Sequence, residues 1–307
     1  TVGMSSQASL PLAHGDISLG IDAAQESMES SSLGNRGRRS AGLAVEYVLP
    51  LGDIVTVIPG VFGSYHTAWG IQAWPGCDIA LTPLPGHKLW CSAGRAFRVP
   101  TFTEMYYFSP ANRGNPALRP EKTRSLEGGY VWNTLFTRTS FSAFIRDGRD
   151  GIDWTRTVGD TVWTVTNVTA EKTFGIDGTA SFSADRIFDI DITSITVSYA
   201  SVFKERNPGP GVESKYGLNY LSHKGTFSIR YPLTEHIEQL WSLREEIRNG
   251  KFPDGATLFD TKLTYTHGTS RFFLEATNML DTRYADIAGV PMPGRAFRFG
   301  INLSLMN

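Results

Sequence analysis

The side chains best placed to do chemistry in this sequence are aromatics and arginines set in loops. Tyr106, Tyr107 and Phe108 stand in a row, with Arg113 close behind. Trp154, Trp163, Arg248 and Tyr284 occupy other segments that interrupt the regular pattern around them. Aromatic faces stack on a ligand or hydrogen-bond to it. Guanidinium groups pair with anions. The chemistry on offer is therefore capture of a ligand; the competing reading is that these side chains pack and solvate their own loops. Bond-breaking chemistry has little support. His14, His66, His87, His223, His236 and His267 are scattered, and none stands at metal-ligand spacing from another. Neither a G-x-S-x-G element nor a phosphate loop is present. The expectation is a protein that is not an enzyme, with no cofactor and no bound metal. Lys+Arg at 29 and Asp+Glu at 30 nearly cancel, so no basic field favours nucleic acid.

The elements that must position those loops are strands. Period-2 alternation recurs from end to end: Phe297, Phe299, Ile301, Leu303 and Leu305 share one face, and Arg298, Gly300, Asn302 and Ser304 the other. About fourteen strands are expected, over 16–27, 39–49, 54–65, 76–82, 88–97, 122–133, 136–149, 162–183, 189–203, 223–231, 236–247, 257–267, 271–279 and 295–305. Thr1 opens no recognisable element. The one helix signal is Thr101 with Glu104, a capping box opening 101–108. Connections alternate between short turns and longer loops, such as 66–75, 98–121 and 150–161. That rhythm belongs to an antiparallel up-and-down sheet. Strands of this length, polar on one face and apolar on the other, suit a transmembrane β-barrel with a wet lumen. Tyr47, Trp69, Trp90, Trp132, Tyr231 and Trp241 suit interfacial girdles. No apolar run is long enough for a membrane helix. Cys77 and Cys91 fall on one hairpin, as two free thiols or a cross-strand disulfide.

Three blocks carry a family resemblance. The first is "FRVPTFTEMYY…GNPALRPEKTRSLEGGY", with Phe97, Arg98, Pro100, Gly114, Asn115, Pro116, Pro120 and Glu121 as its matching positions. The second is "TNVTAEKTFGIDGTASFS", 166–183. The third is "ATNMLDTRYAD" followed by "PGRAFRFGINLSL", containing Pro293, Gly294 and Arg295. Together they resemble TonB-dependent outer-membrane receptors. The resemblance implies an all-β fold: a 22-stranded transmembrane antiparallel barrel around an N-terminal plug. Residues 1–307 then correspond to the last fourteen strands, with the plug, the coupling box and the first eight strands absent from this chain. The chain is expected to be a fragment of a longer receptor, one half of a split receptor, or a smaller barrel closing on itself. A start at Thr1 suggests that more protein preceded it.

The function implied is TonB-energised uptake of a scarce ligand across a Gram-negative outer membrane. That ligand would be a ferric siderophore or a cobalamin, and the modest loops suit the compact cobalamin type. The partners implied are outer-membrane lipids, the ligand, and the TonB complex acting through a plug not in this chain. The alternatives are a passive channel formed by a shortened barrel and a soluble β-rich binding module. Arg113 and Arg248 would suit an anionic ferric chelate or a phosphate-bearing corrinoid. Arg95 and Arg295, in the repeated "GRAFR", would meet anionic headgroups at the membrane rim. The end at Leu305-Met306-Asn307 departs from the terminal aromatic common in outer-membrane proteins.

Overall fold

The computed structural model describes residues 1–187, 190–206, 209–215, 220–249, 255–287 and 290–304. Among these, fifteen strands reach eight residues or more. They are β1 Val2–Leu12, β2 Gly15–Met28, β3 Arg36–Leu51, β4 Val55–His66, β5 Gly70–Leu84, β6 His87–Arg98, β7 Glu121–Asn133, β8 Thr137–Thr157, β9 Trp163–Ile187, β10 Ile190–Arg206, β11 Tyr220–Pro232, β12 Ile237–Asn249, β13 Gly255–His267, β14 Ser270–Thr277 and β15 Ala296–Leu303. One helix, α1, spans Phe102–Tyr106.

The chain forms two compact units. The first comprises residues 1–129, 143–174 and 204–217. In it β1 to β6 pair antiparallel in sequence order. The second comprises 130–142, 175–203 and 218–307. There Ser194 to Ser201 of β10 pair with β11, and β11 to β15 continue in order. Each strand thus pairs with its neighbour in sequence, the up-and-down order expected.

Register decides what each face carries, because side chains alternate along a strand. Leu263 stands opposite Leu274, and Leu274 opposite Phe299. One residue along, Lys262 stands opposite Glu275, and Glu275 opposite Arg298. An apolar row and a charged row therefore run side by side on opposite faces. The apolar row is bare: Leu274 is 55% exposed and Phe299 87%. Val2, Ile21, Leu43, Val61, Leu126 and Ile145 repeat that exposure in the first unit. A water-soluble sheet covers such a face, since large contiguous apolar surface is rare on soluble proteins. The charged row is paired within itself: Arg298 Nη2 lies 3.2 Å from Glu275 Oε1, and Lys262 Nζ sits 4.4 Å from the Phe273 ring centroid.

Several expectations need correction. The long strands number fifteen rather than fourteen: β1 reaches back to Val2. Its apolar face reads Val2, Met4, Ser6, Ala8, Leu10, Leu12, and the two small residues at its middle hide the alternation. The long loop expected at 66–75 is a turn over 67–69, because β5 begins at Gly70. β8 likewise runs to Thr157 and shortens the loop expected at 150–161. The expected helix 101–108 contracts to Phe102–Tyr106. Cys77 stands opposite Ala93 and Cys91 opposite Ile79, so the thiols are out of register and free. Trp69 joins a buried cluster instead of a girdle. By contrast Trp241 Nε1 donates to Tyr231 Oη at 3.0 Å on an exposed face, as an interfacial pair would. Leu305, Met306 and Asn307 lie outside the described residues.

Leu274→Arg places a charge mid-strand on the apolar face. In a bilayer it is expected to destabilise the fold by about 2–4 kcal/mol. Arg298→Gln, on the opposite face, is expected to cost under about 1 kcal/mol, as for other exposed ion pairs. Reversible urea unfolding in lipid vesicles measures both.

Candidate functional site

The segment joining β6 to β7 is the most elaborate in the chain, and it is held by one guanidinium. Pro100 cannot donate to a ladder, so pairing stops there. Its buried ring ends the strand, and its carbonyl accepts from Arg38 Nη1 at 2.6 Å. Thr101 caps α1: its hydroxyl accepts from Glu104 N at 3.1 Å, and Glu104 Oε2 accepts from Thr101 N at 2.7 Å. The capping box expected from sequence is thus present. The Glu104 carboxylate also takes two bonds from Arg98, Nη1 to Oε2 and Nη2 to Oε1, both at 3.0 Å.

The same guanidinium holds a second carboxylate. Arg98 Nε donates to Glu121 Oε2 at 2.7 Å and Nη2 to Glu121 Oε1 at 2.8 Å. Arg98 ends β6, Glu104 lies on α1 and Glu121 opens β7, so one side chain ties the exit, the helix and the return of the loop. A planar fork is suited to this double engagement, and a lysine is not. Glu121 Oε1 further accepts from Ile152 N at 2.6 Å, which extends the latch to β8. Burial pushes the Glu121 carboxyl up, but the Arg98 bond and the Ile152 amide outweigh it and hold it below its ordinary value. Arg98 is raised, by its Glu121 bond before any other favourable contact and against burial.

The rest of the loop closes on a small core of Met105, Leu118, Ile152, Trp154 and Val165. Gly114 passes so close to α1 that a Cβ there would stand 2.9 Å from Met105 C, Met105 O and Tyr106 N, leaving no room for a side chain. Asn115 donates from Nδ2 to Val165 O at 3.2 Å and accepts from Ala117 N at 2.9 Å, which shapes the turn before exposed Pro116. Buried Pro120 leads into Glu121. Phe97 stacks on Trp74, centroids 4.5 Å apart. Arg119 reaches Asp150 Oδ1 at 2.6 Å, and Asn167 bridges Arg119 and Asp150 through their backbones. Beneath lies Asp153, 0% exposed, which accepts from Arg206 Nη1 at 2.8 Å and from the Ser214 hydroxyl. Of the family-motif positions in this block, Arg98 and Glu121 form the latch and Gly114 and Asn115 shape the loop it closes.

The sequence-selected ligand candidates separate sharply. Trp154 is buried and Tyr107 packs edge-on against it at 6.3 Å, so both support the loop from inside. Tyr106 lies under Arg36, 4.1 Å from its guanidinium, and stacks on Phe102. Phe108, by contrast, is 65% exposed at the open end of a short ribbon, Phe108–Ser109 paired with Asn112–Arg113, and Arg113 reaches over its ring at 6.0 Å. The ribbon pairs in parallel with Trp163 and Thr164. Trp163 carries Arg156 at 4.5 Å and Lys215 at 5.8 Å. The β6–β7 ribbon, the facing ends of β8 and β9 and Lys215 thus present a ring-and-cation surface. Arg36, Arg156 and Lys215 have no sequence signal, since each finds its ring only after the strands pair.

Arg248 and Tyr284 belong to the second unit. Arg248 is engaged by Glu246 at 3.3 Å and Asp286 at 2.8 Å. The Tyr284 carbonyl accepts from Met292 N at 2.9 Å. A second latch closes this segment. Asn278 accepts from Thr282 N at 2.9 Å and donates to Thr282 O at 2.9 Å and Pro293 O at 3.4 Å. Asp281 Oδ1 accepts from Arg295 N at 2.9 Å, and a Cβ on Gly294 would stand 2.6 Å from that oxygen. Pro293, Gly294 and Arg295 therefore act through backbone. Among the described residues no group of His, Cys, Asp and Glu has the arrangement of a metal site.

Comparison with known proteins agrees with this architecture. A family model described as "TonB dependent receptor-like, beta-barrel" matches residues 29–285. The vitamin B12 transporter BtuB of Vibrio vulnificus is 30% identical over 130 residues, 42% of this chain and 21% of the transporter. The siderophore receptor PirA of Pseudomonas aeruginosa superposes with a TM-score of 0.78 at 16% identity, over 99% of this chain and 55% of the receptor. A mutant of the ferric enterobactin receptor PfeA from the same organism gives 0.82 at 14% identity, over 99% and 53%. The copper transporter OprC gives 0.78 at 15%, over 99% and 56%. The chain spans about half the length of these solved structures.

Arg98→Ala leaves two carboxylates facing each other. Because Arg98 is 43% exposed, water screens part of the loss, and the expected increase in local opening is about 1–2 kcal/mol, below that for a fully buried pair. Amide exchange over 101–121 should quicken accordingly, with Arg98→Lys restoring only part of the protection. The Glu121 shift sets a pH dependence. Its depressed folded pKa means that the latch is fully present above the ordinary value of 4.5 and is lost as pH falls through the folded value. Exchange over the same amides should therefore rise below about pH 4.5, and Glu121→Gln should remove Glu121's share of that rise.

Proposed function

The chain belongs to the TonB-dependent receptor β-barrel family, and from that membership we propose that it is the C-terminal part of the barrel of an outer-membrane receptor taking up a scarce anionic ligand. The bare apolar face supports a position in the outer membrane, because only a hydrocarbon surround leaves Leu274 and Phe299 without penalty. Energised uptake would run through a plug and the TonB complex, neither of which these residues supply. The family is one of receptors and transporters, and binding rather than catalysis is the activity proposed here.

One observation carries the ligand class. The loop end of the first unit gathers Arg113, Arg156 and Lys215 around Phe108 and Trp163, and among the described residues only Arg156 of these cations has a carboxylate against it, Glu213 at 2.6 Å. Such a surface attracts a ligand that is both anionic and ring-bearing. A ferric siderophore meets that description. A cobalamin, with its phosphate and corrin ring, meets it too, and the similarity to a vitamin B12 transporter supports it. The latch beneath makes the surface rigid before the ligand arrives, which lowers the ordering entropy lost on capture.

Retention of iron-55-labelled ferric catecholate and of labelled cyanocobalamin on outer membranes carrying the protein tests the proposal. One of the two should bind. Phe108→Ala and Arg113→Ala should each weaken that binding by about five- to tenfold. Retention of neither ligand, with a steady large conductance in planar bilayers, would instead mark a passive channel.

A further inference from the structure

The apolar face of the second unit carries one group that hydrocarbon does not accommodate. Leu243 of β12 stands opposite Phe227 of β11 and Phe259 of β13, and Ile247 stands opposite His223. Alternation places Glu245 between Leu243 and Ile247 on that same face. Among the described residues of β11 to β15 it is the only Asp, Glu, Lys or Arg on the apolar side. Its neighbour Glu246 points the other way and meets Lys224 at 3.9 Å, Arg244 at 3.6 Å and Arg248 at 3.3 Å. No described cation lies within ion-pair distance of Glu245. Trp241, which marks the interface with Tyr231, is four residues away, about 13 Å along the strand. On the loop side, exposed Ile247 stands beyond Glu245. Apolar side chains thus bracket the carboxylate along the strand, and a charge at that depth is costly unless something pairs with it.

The same patch holds a donor. His223 lies one row beyond Glu245 on the adjacent strand. Its Nδ1 is 2.7 Å from Tyr199 Oη, and the Phe203 ring stands edge-on to it at 5.8 Å. These contacts hold the imidazole on the apolar face, and no ion pair joins it to Glu245 within the chain. A hydroxyl donating to Nδ1 leaves the ring proton on Nε2, so the ring needs an acceptor just as Glu245 needs a donor. Between the two lies Gly225, opposite Glu245 on one side and Tyr199 on the other. A Cβ at Gly225 would meet nothing within 4 Å, so the surface is notched there. Small residues of this kind let two membrane elements approach closely.

We propose that this patch binds a second copy of the chain about a two-fold axis along the membrane normal, with His223 Nε2 of each copy donating to the Glu245 carboxylate of the other. A two-fold contact sets residue i against j and j against i. An axis at the notch therefore brings each donor to the other copy's acceptor and withdraws both polar groups from hydrocarbon at once. Tyr199, Phe227, Leu243 and Ile247 surround them with the apolar area such a contact buries. A foreign partner would have to bring both a donor and an acceptor at this spacing, whereas the chain already carries the pair. Lipid covers the rest of the face. The inference rests on the membrane position of this face and not on which ligand is taken up, so its failure leaves the uptake reading intact.

Disulfide cross-linking in native outer membranes provides the test. With Cys77 and Cys91 replaced by Ser, Gly225→Cys at the notch and Leu243→Cys, one row nearer Trp241, should each give a band of twice the monomer mass on oxidation with copper phenanthroline. Phe299→Cys, three strands away on the same face, should stay monomeric. Glu245→Lys, added to Gly225→Cys, should cut the cross-linked fraction at least about tenfold, because it sets donor against donor. Adding His223→Glu to Glu245→Lys should restore it. A doubled band from neither cysteine, with the heat-dependent gel mobility of a folded barrel, would overturn the proposal. So would a band whose mass is that of a different protein, or cross-linking undiminished by Glu245→Lys. The unmodified protein should also give a dimer by native mass spectrometry from membrane vesicles, and monomer alone there overturns the proposal whether or not the variants fold.

Discussion

The rest of this structure depends on the pairing of backbone groups across long strands. Hydrocarbon offers no hydrogen-bond partner, so an unpaired N–H or C=O in it costs several kcal/mol, and a chain crossing it by strands must pair each with a neighbour. The up-and-down order satisfies that demand with short turns at one end. Once register is set, the two faces follow: Leu263, Leu274 and Phe299 on one side, Lys262, Glu275 and Arg298 on the other. A slip of one residue would exchange these rows.

Such a sheet buries almost nothing against itself, and the core of the first unit lies where the β6–β7 segment packs on the ends of β8 and β9. There the chain meets water and has to stabilise irregular backbone by other means. Arg98 shared between Glu104 and Glu121 does so at the surface, and Asp153 with Arg206 does so beneath it. The second unit solves the same problem with Asn278 and Asp281, which bind backbone rather than side chains. Both devices fix loops before any ligand is present. Phe108 and Arg113, on the ribbon of the β6–β7 segment, then project from backbone that the Arg98 latch already holds.

Much of this was legible in the sequence. Strand order, the apolar row through Phe297, Phe299, Ile301 and Leu303, and the Thr101–Glu104 capping box follow from local spacing. What stayed hidden has two physical causes. Small residues dilute a pattern, as Ser6 and Ala8 do in β1. Long-range partners leave no local trace: Arg36 over Tyr106, Arg206 under Asp153 and Asn167 between Arg119 and Asp150 exist only after the sheet has formed. The same cause misled the choice of ligand residues. Trp154 reads as a loop aromatic, yet its neighbours in space bury it.

The central claim is that one face of these strands touches acyl chains and the other water. Single nitroxide labels placed in turn from Ala296 to Leu303, with Cys77 and Cys91 replaced by Ser, measure it through collisions with oxygen in the bilayer and with an aqueous nickel chelate. The account predicts two oscillations of period two and opposite phase, oxygen high at 297, 299 and 301, nickel high at 296, 298 and 300. Oscillations in phase, or labels at 297, 299 and 301 shielded from both reagents, would contradict it.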